Sequence, residues 1–143
     1  MANPGPATTI TTNFQPVNTQ QCLRLLGYVK ACQVSAAGDV IMPLIGQVGS
    51  FVPTTVVTTN ANVTMATATV GIYTGAAATG TAVLTTAALT GQTTTAFAYV
   101  RAATAAAANV TPNGFYLYVN IGTTVATGTV DVYLYGYDTS ALA

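Results

Sequence analysis

Residues 114–138 read GFYLYVNIGTTVATGTVDVYLYGYD, two arms of strict alternation on either side of a Gly/Thr-rich connection. In the first arm Phe115, Leu117, Val119 and Ile121 share one parity, against Tyr116, Tyr118 and Asn120. In the second, Val130, Val132 and Leu134 oppose Asp131, Tyr133, Tyr135 and Tyr137. A period of two sends successive side chains to opposite faces of a sheet, so only strands can bury these aliphatics together. The pattern predicts a hairpin. Its inner face runs from Phe115 to Ile121 and from Val130 to Leu134, and its outer face is a ladder of five tyrosines.

The rest of the chain repeats the theme less cleanly. The run 21–34, QCLRLLGYVKACQV, supports two readings over its first half. One is a short helix capped by Asn18 and ended by Gly27. The other is a strand with Leu23, Leu25, Val29 and Ala31 on one face and Arg24, Tyr28 and Lys30 on the other. Its second half, 28–34, is expected to be strand, with a turn at 36–39. DVIMPLIG is too short for a helix and is interrupted by Pro43, which suits an edge or bulged strand. Residues 51–59 form another Pro-containing strand, closed by the turn Asn60-Ala61-Asn62. Residues 63–74 are rich in β-branched types, with Val63, Met65 and Ile72 inward and Gly71 marking a bulge. GAAATG makes a loop, and two further strands, 81–89 and 93–101, flank Thr90-Gly91-Gln92. In the second of these Ala96, Ala98 and Val100 oppose Phe97, Tyr99 and Arg101. Residues 102–113 are alanine-rich but lack an apolar stripe, which predicts a loop with one helical turn.

About eight strands at this spacing predict an all-β chain. The expected architecture is an antiparallel two-sheet sandwich, jelly-roll or immunoglobulin-like, with an extended N-terminal arm. Residues 1–18 carry Pro4, Pro6 and Pro16 and no charge, and read as that arm, with Ile10 and Phe14 as anchors on a neighbouring subunit. Residues 19–143 read as a single sandwich domain.

Charge limits what such a domain can do. Arg24, Lys30, Arg101, Asp39, Asp131 and Asp138 are the whole inventory, 4% of the chain, with a net charge of zero. Thr and Ala supply roughly a third of the residues, far from average usage. A free subunit ordinarily keeps itself soluble with a mixed charged surface. A charge-poor chain instead resembles the centre of an interface, so much of this surface is expected to be buried against other subunits. Three basic residues neutralise too few phosphates for nucleic-acid binding. The segment MANPGPATTITT has neither a basic n-region nor an apolar h-region, so synthesis in a cytoplasm without export is expected. No run approaches the roughly 18 apolar residues of a spanning helix, and no membrane partner is expected.

Catalytic chemistry finds no constellation. There is no histidine. Ser35 and Lys30 have opposite parity, so a regular strand points them apart. The three aspartates are placed to form turns or to pair with the three basic residues, not to converge on one bond. GAAATG lacks the Lys-Ser/Thr of a phosphate loop. Cys22 and Cys32 have no companion ligands for a metal, and an extended strand would hold them about 33 Å apart. Buried free thiols are expected. No catalytic, cofactor-binding or metal residues are predicted, and the chain is not expected to be an enzyme. The tyrosines Tyr116, Tyr118, Tyr133, Tyr135 and Tyr137 are the candidate interface, because tyrosine offers apolar area with a hydrogen-bonding tip.

The stretches VVTTNANVT, ATVGIYTGAAATGTAVL and GTVDVYLYGYD resemble small virion proteins encoded near capsid genes in tailed phages and prophages, of the head decoration or cement type. The resemblance spans about residues 24–138 and rests on strand-and-turn patterns. It implies a β-sandwich on the outside of an icosahedral shell, commonly trimeric, bound at symmetry axes or between capsomers. It carries over no functional residue. On that expectation the chain is a structural virion protein on the capsid outer surface, made in the host cytoplasm. Its partners would be the major capsid protein and further copies of itself, with a trimer favoured. The alternative expectation is a carbohydrate-binding or adhesive β-sandwich module of a phage fibre or cell surface, with tyrosines stacked on sugar rings.

Overall fold

The computed structural model describes residues 22–94, 99–106 and 108–140. The expected arm at 1–18, with Ile10 and Phe14, lies outside the described residues, as do Ala96, Phe97 and Ala98. Eight strands follow one another: β1 (Arg24–Gln33), β2 (Gly38–Pro43), β3 (Phe51–Thr59), β4 (Thr69–Gly75), β5 (Thr79–Ala88), β6 (Tyr99–Ala103), β7 (Tyr116–Ile121) and β8 (Thr129–Asp138). They form two four-stranded antiparallel sheets, ordered β1-β8-β3-β6 and β2-β7-β4-β5. The chain is all-β, and no α-helix occurs among the described residues.

The order has a simple origin. β1 pairs with β8, β2 with β7, β3 with β6 and β4 with β5. The first half of the chain is thus one ribbon laid antiparallel on the second half. Rolling that ribbon brings β3 against β8 and β4 against β7, which completes the two sheets. This is the jelly-roll solution. Of the two sandwich types expected, the immunoglobulin-like one is set aside, because pairing here joins distant halves of the chain.

The predicted hairpin is where sequence and structure part. β7 and β8 lie in different sheets, and residues 122–128 cross from one to the other. The crossing is held by Gly122 N–H on the Thr69 carbonyl at 3.1 Å and by Val125 N–H on the Val34 carbonyl at 3.0 Å. The parity reading survives, because the aliphatic sets meet across the sandwich instead of along a hairpin. Leu117, Val119, Ile121, Val130, Val132 and Leu134 are all buried. Burial of each contributes about 1.5–3 kcal/mol relative to exposure. Phe115 does not join them: it precedes β7 and is 51% exposed, which corrects its place on the inner face.

β1 is one ten-residue strand, so the open reading at its start closes against the helix. Two register shifts, between Leu25 and Gly27 and between Val29 and Cys32, break its parity. Leu26 and Cys32 therefore point into the core, while Leu23 and Ala31 are exposed. Between the shifts Val29, of opposite parity to Leu26 and Cys32, packs against the core while Tyr28 is exposed, which no regular alternation could produce. β2 is an edge strand, as Pro43 suggested, and the register shift after Val70 bears out the bulge at Gly71. Met65 is buried although it lies in a loop before β4, tied by its N–H to the Gln92 carbonyl at 2.9 Å. β6 begins at Tyr99, later than expected. The described part of 104–113 contains no helical turn; it is pinned by Ala105 N–H on the Val83 carbonyl at 2.9 Å and a bridge between Phe51 and Val110.

Gly136 sits at the tightest approach between β8 and β3. A Cβ there would overlap the Val52 carbonyl oxygen and meet Leu26 Cδ1 at 2.8 Å and the Pro53 Cα at 3.0 Å. Two of these atoms are backbone, so the strand itself must move. Gly136→Ala is expected to cost about 2 kcal/mol or more, read as a lower midpoint in chemical denaturation.

Candidate functional site

Because β7 and β8 belong to different sheets, their tyrosines cannot form one ladder. Tyr133, Tyr135 and Tyr137 lie on the outer face of the β1-β8-β3-β6 sheet. Tyr116 and Tyr118 lie on the outer face of the other sheet, on the far side of the molecule. The single five-tyrosine surface is therefore replaced by two faces.

On the first face Tyr28 of β1 stands opposite Tyr133, and the two rings stack with centroids 6.1 Å apart and planes 24° off parallel. Tyr28 is 41% exposed and Tyr137 38%, and Val57 of β3, opposite Tyr133, is buried. On the second face Tyr116 and Tyr118 meet edge to face, centroids 5.4 Å apart and planes at 81°. Tyr73 of β4 stands opposite Tyr118. Its hydroxyl shares a 2.8 Å hydrogen bond with Thr86 Oγ1 and accepts from Thr86 N–H at 3.1 Å, which leaves it nearly buried. Tyr118 donates to the Tyr116 hydroxyl at 3.5 Å. That bond, then desolvation, then the charges of Tyr116 and Asp39 hold the Tyr118 phenol above its ordinary range. Sequence parity placed Tyr28 outward but gave no reason to join it to Tyr133, and Tyr73 was missed. Only cross-strand register reveals both partners.

The acidic residues do structural work. Asp131 is buried on the first face, where Oδ1 accepts Ala31 N–H at 2.7 Å and Oδ2 accepts Asn60 Nδ2 at 2.8 Å. Asp39 mirrors it on the second: Oδ2 accepts Ala77 N–H at 2.7 Å and Oδ1 accepts Asn120 Nδ2 at 2.8 Å. Ala31, Asn60 and Ala77 have φ of 49°, 56° and 54°, a left-handed backbone costing a non-glycine residue about 1–2 kcal/mol. Each carboxylate thus bonds residues in the conformation that most needs support. Asp138 caps Ser140 N–H at 3.0 Å and pairs with Arg24 at 3.3 Å. Among the described residues no three His, Cys, Asp or Glu side chains cluster as metal ligands. No helix among them is long and apolar enough to cross a membrane.

Both cysteines are free thiols, as expected, and Cys32 is buried; Cys22, just before β1, is exposed, which corrects the expectation that both are buried. Burial pushes the Cys32 thiol from 9.0 up to about 11. No protein-family model, curated protein or solved structure matches the chain.

Two measurements follow. Asp131→Ala strands the Ala31 N–H and the Asn60 amide, and is expected to cost about 2–3 kcal/mol in urea unfolding. Asp39→Ala, at an exposed position, should cost about 1 kcal/mol. Alkylation at pH 8 is expected to modify Cys22 at once and Cys32 only on unfolding, because the raised pKa keeps Cys32 a protonated thiol. The sign is that of a buried acid: its contribution to stability is complete below pH 9 and is lost as the pH rises from 9 towards 11.

Proposed function

We propose that this chain is a non-enzymatic structural virion protein that binds the outer surface of an assembled phage capsid and stabilises it. One observation carries the reading. A domain with six charged residues spends Asp39, Asp131, Asp138 and Arg24 on internal contacts, yet leaves tyrosines and an isoleucine half-exposed on its two sheet faces. Tyr28 and Tyr137 on one face, and Ile41 (50% exposed) beside Tyr118 on the other, are the side chains that a protein partner desolvates most profitably.

Two opposed faces suit a bridging role. A subunit that contacts one neighbour through each face links two capsid subunits, and the second contact forms at high effective concentration once the first is made. Because the subunit binds the assembled shell and not its free components, its binding free energy adds to shell stability by mass action. Self-association, with a trimer favoured, belongs to the same proposal, as does a place on the capsid outer surface. The second reading, a carbohydrate-binding or adhesive module, is favoured by the stacked Tyr28–Tyr133 pair. Against it, both Asp131 oxygens beside that pair are already engaged, so no free carboxylate flanks the rings to orient a sugar.

Cosedimentation of the purified protein with particles of its source tests the proposal. The wild type should bind at fixed stoichiometry, and the Tyr28→Ser/Tyr137→Ser double variant at least about tenfold more weakly with an unchanged denaturation midpoint. Absence of binding by the wild type, or a folded double variant that binds equally well, overturns it. A specific glycan-array signal lost in Tyr133→Ala would establish the sugar-binding alternative in its place.

A further inference from the structure

The asparagines among the described residues, Asn60, Asn62, Asn109, Asn113 and Asn120, are not equivalent. Four have their side-chain amides engaged. Asn60 Nδ2 donates to Asp131 and Asn120 Nδ2 to Asp39, both at 2.8 Å. Asn62 is held at both ends, by the Thr127 carbonyl at 2.8 Å and Thr129 N–H at 2.7 Å. Asn109 Oδ1 accepts from the Thr139 hydroxyl. Asn113 is exposed and makes no side-chain hydrogen bond among the described residues. It is also the one of the five followed by glycine; Ala61, Val63, Val110 and Ile121 follow the others.

Asn113 and Gly114 lie in a bend between β6 and β7. The chain is pinned on either side of them. Phe51 and Val110 exchange backbone hydrogen bonds of 2.9 and 2.7 Å, and Leu44 N–H donates to the Phe115 carbonyl at 2.8 Å. Between these pins Gly114 N–H makes no hydrogen bond among the described residues. Packing holds glycine at this position, because a Cβ there would meet Tyr116 Cε1 at 2.8 Å, inside van der Waals contact. The fold thus keeps at 114 the residue that shields its own nitrogen least. The neighbouring amide is open to water, and no hydrogen bond holds it away from that nitrogen.

We infer that Asn113–Gly114 is a self-modification site, at which the folded protein deamidates without an enzyme. The Gly114 nitrogen gives its proton to hydroxide and attacks Asn113 Cγ. The N–Cγ bond forms, the Cγ–Nδ2 bond breaks, and the amide leaves as ammonia with a proton taken from water. Water then opens the five-membered succinimide at either carbonyl, giving aspartate or its β-linked isomer. Either product adds a fourth side-chain carboxylate to a chain of net charge zero, and the isomer also lengthens the backbone beside the Tyr116 ring. The inference is independent of the capsid-binding role, and its test needs no particle. Full-length protein is held folded at pH 8 for several days, then cleaved in acid and mapped by mass spectrometry. The peptide carrying Asn113 should gain one mass unit, faster at pH 9, while Asn60, Asn62, Asn109 and Asn120 remain amides. In Asn113→Gln, whose side chain would have to close a six-membered ring, that gain should be lost with the denaturation midpoint unchanged. An Asn113 that stays intact in the folded protein overturns the inference, whether or not it reacts in urea. Equal reaction at the four hydrogen-bonded asparagines overturns it as well, as does a glutamine at 113 that reacts equally fast.

Discussion

The structure depends on one packing arrangement: the alternate aliphatics of β7 set against those of β8 across the sandwich. Each of these strands is internal to its sheet, with β8 between β1 and β3 and β7 between β2 and β4. Leu117, Val119 and Ile121 face Val130, Val132 and Leu134 in a core that excludes water almost completely. Because both strands come from the end of the chain, the first four strands have no finished sheet to join until the last two arrive. Long-range pairing of this kind costs loop-closure entropy before it brings contact energy, a feature of jelly rolls as a class.

The second constraint is the economy of charge. Each of the three side-chain carboxylates in the chain makes an internal hydrogen bond. Asp131 and Asp39 take corresponding positions on the two sheets, and each holds an alanine N–H in left-handed backbone together with a side-chain amide. Asp39 reaches from the edge strand β2 to the β4–β5 turn, so one exposed side chain joins elements from opposite margins of its sheet. A carboxylate is the strongest acceptor a chain can place against a backbone donor, and here it steadies turns that lack glycine.

The exposed side chains include threonines, alanines, Lys30, Leu23, Ile41, Ile45 and two groups of aromatic rings. The tyrosine pairs occupy the two sheet faces, one pair on each. The two sheet faces are broad and carry phenol tips, which suits contact with large flat partners. The low charge of the whole chain is accounted for if both faces spend their working life covered.

The sequence by itself determined the class of fold and much of the core. Alternation in residues 114–138 assigned all six central aliphatics of β7 and β8 correctly and failed only at Phe115, because side-chain parity is a local property of extended backbone and Phe115 precedes the strand. Pro43 and Gly71 marked an edge and a bulge for equally local reasons. The partner of each strand was not legible, since a Gly/Thr-rich connection of seven residues serves a hairpin or a crossover alike. That choice is made by the roll-up of the whole chain, and it carried Tyr116 and Tyr118 to one side of the molecule and Tyr133, Tyr135 and Tyr137 to the other. The bulges that turned Leu26 inward in place of its neighbours, and the register that brought Tyr28 onto Tyr133 and Tyr73 opposite Tyr118, were decided in the same way. Residue types and spacing are written along the chain, but which faces become surfaces depends on contacts between residues about a hundred positions apart, as between Ala31 and Asp131, and those exist only once the ribbon has rolled.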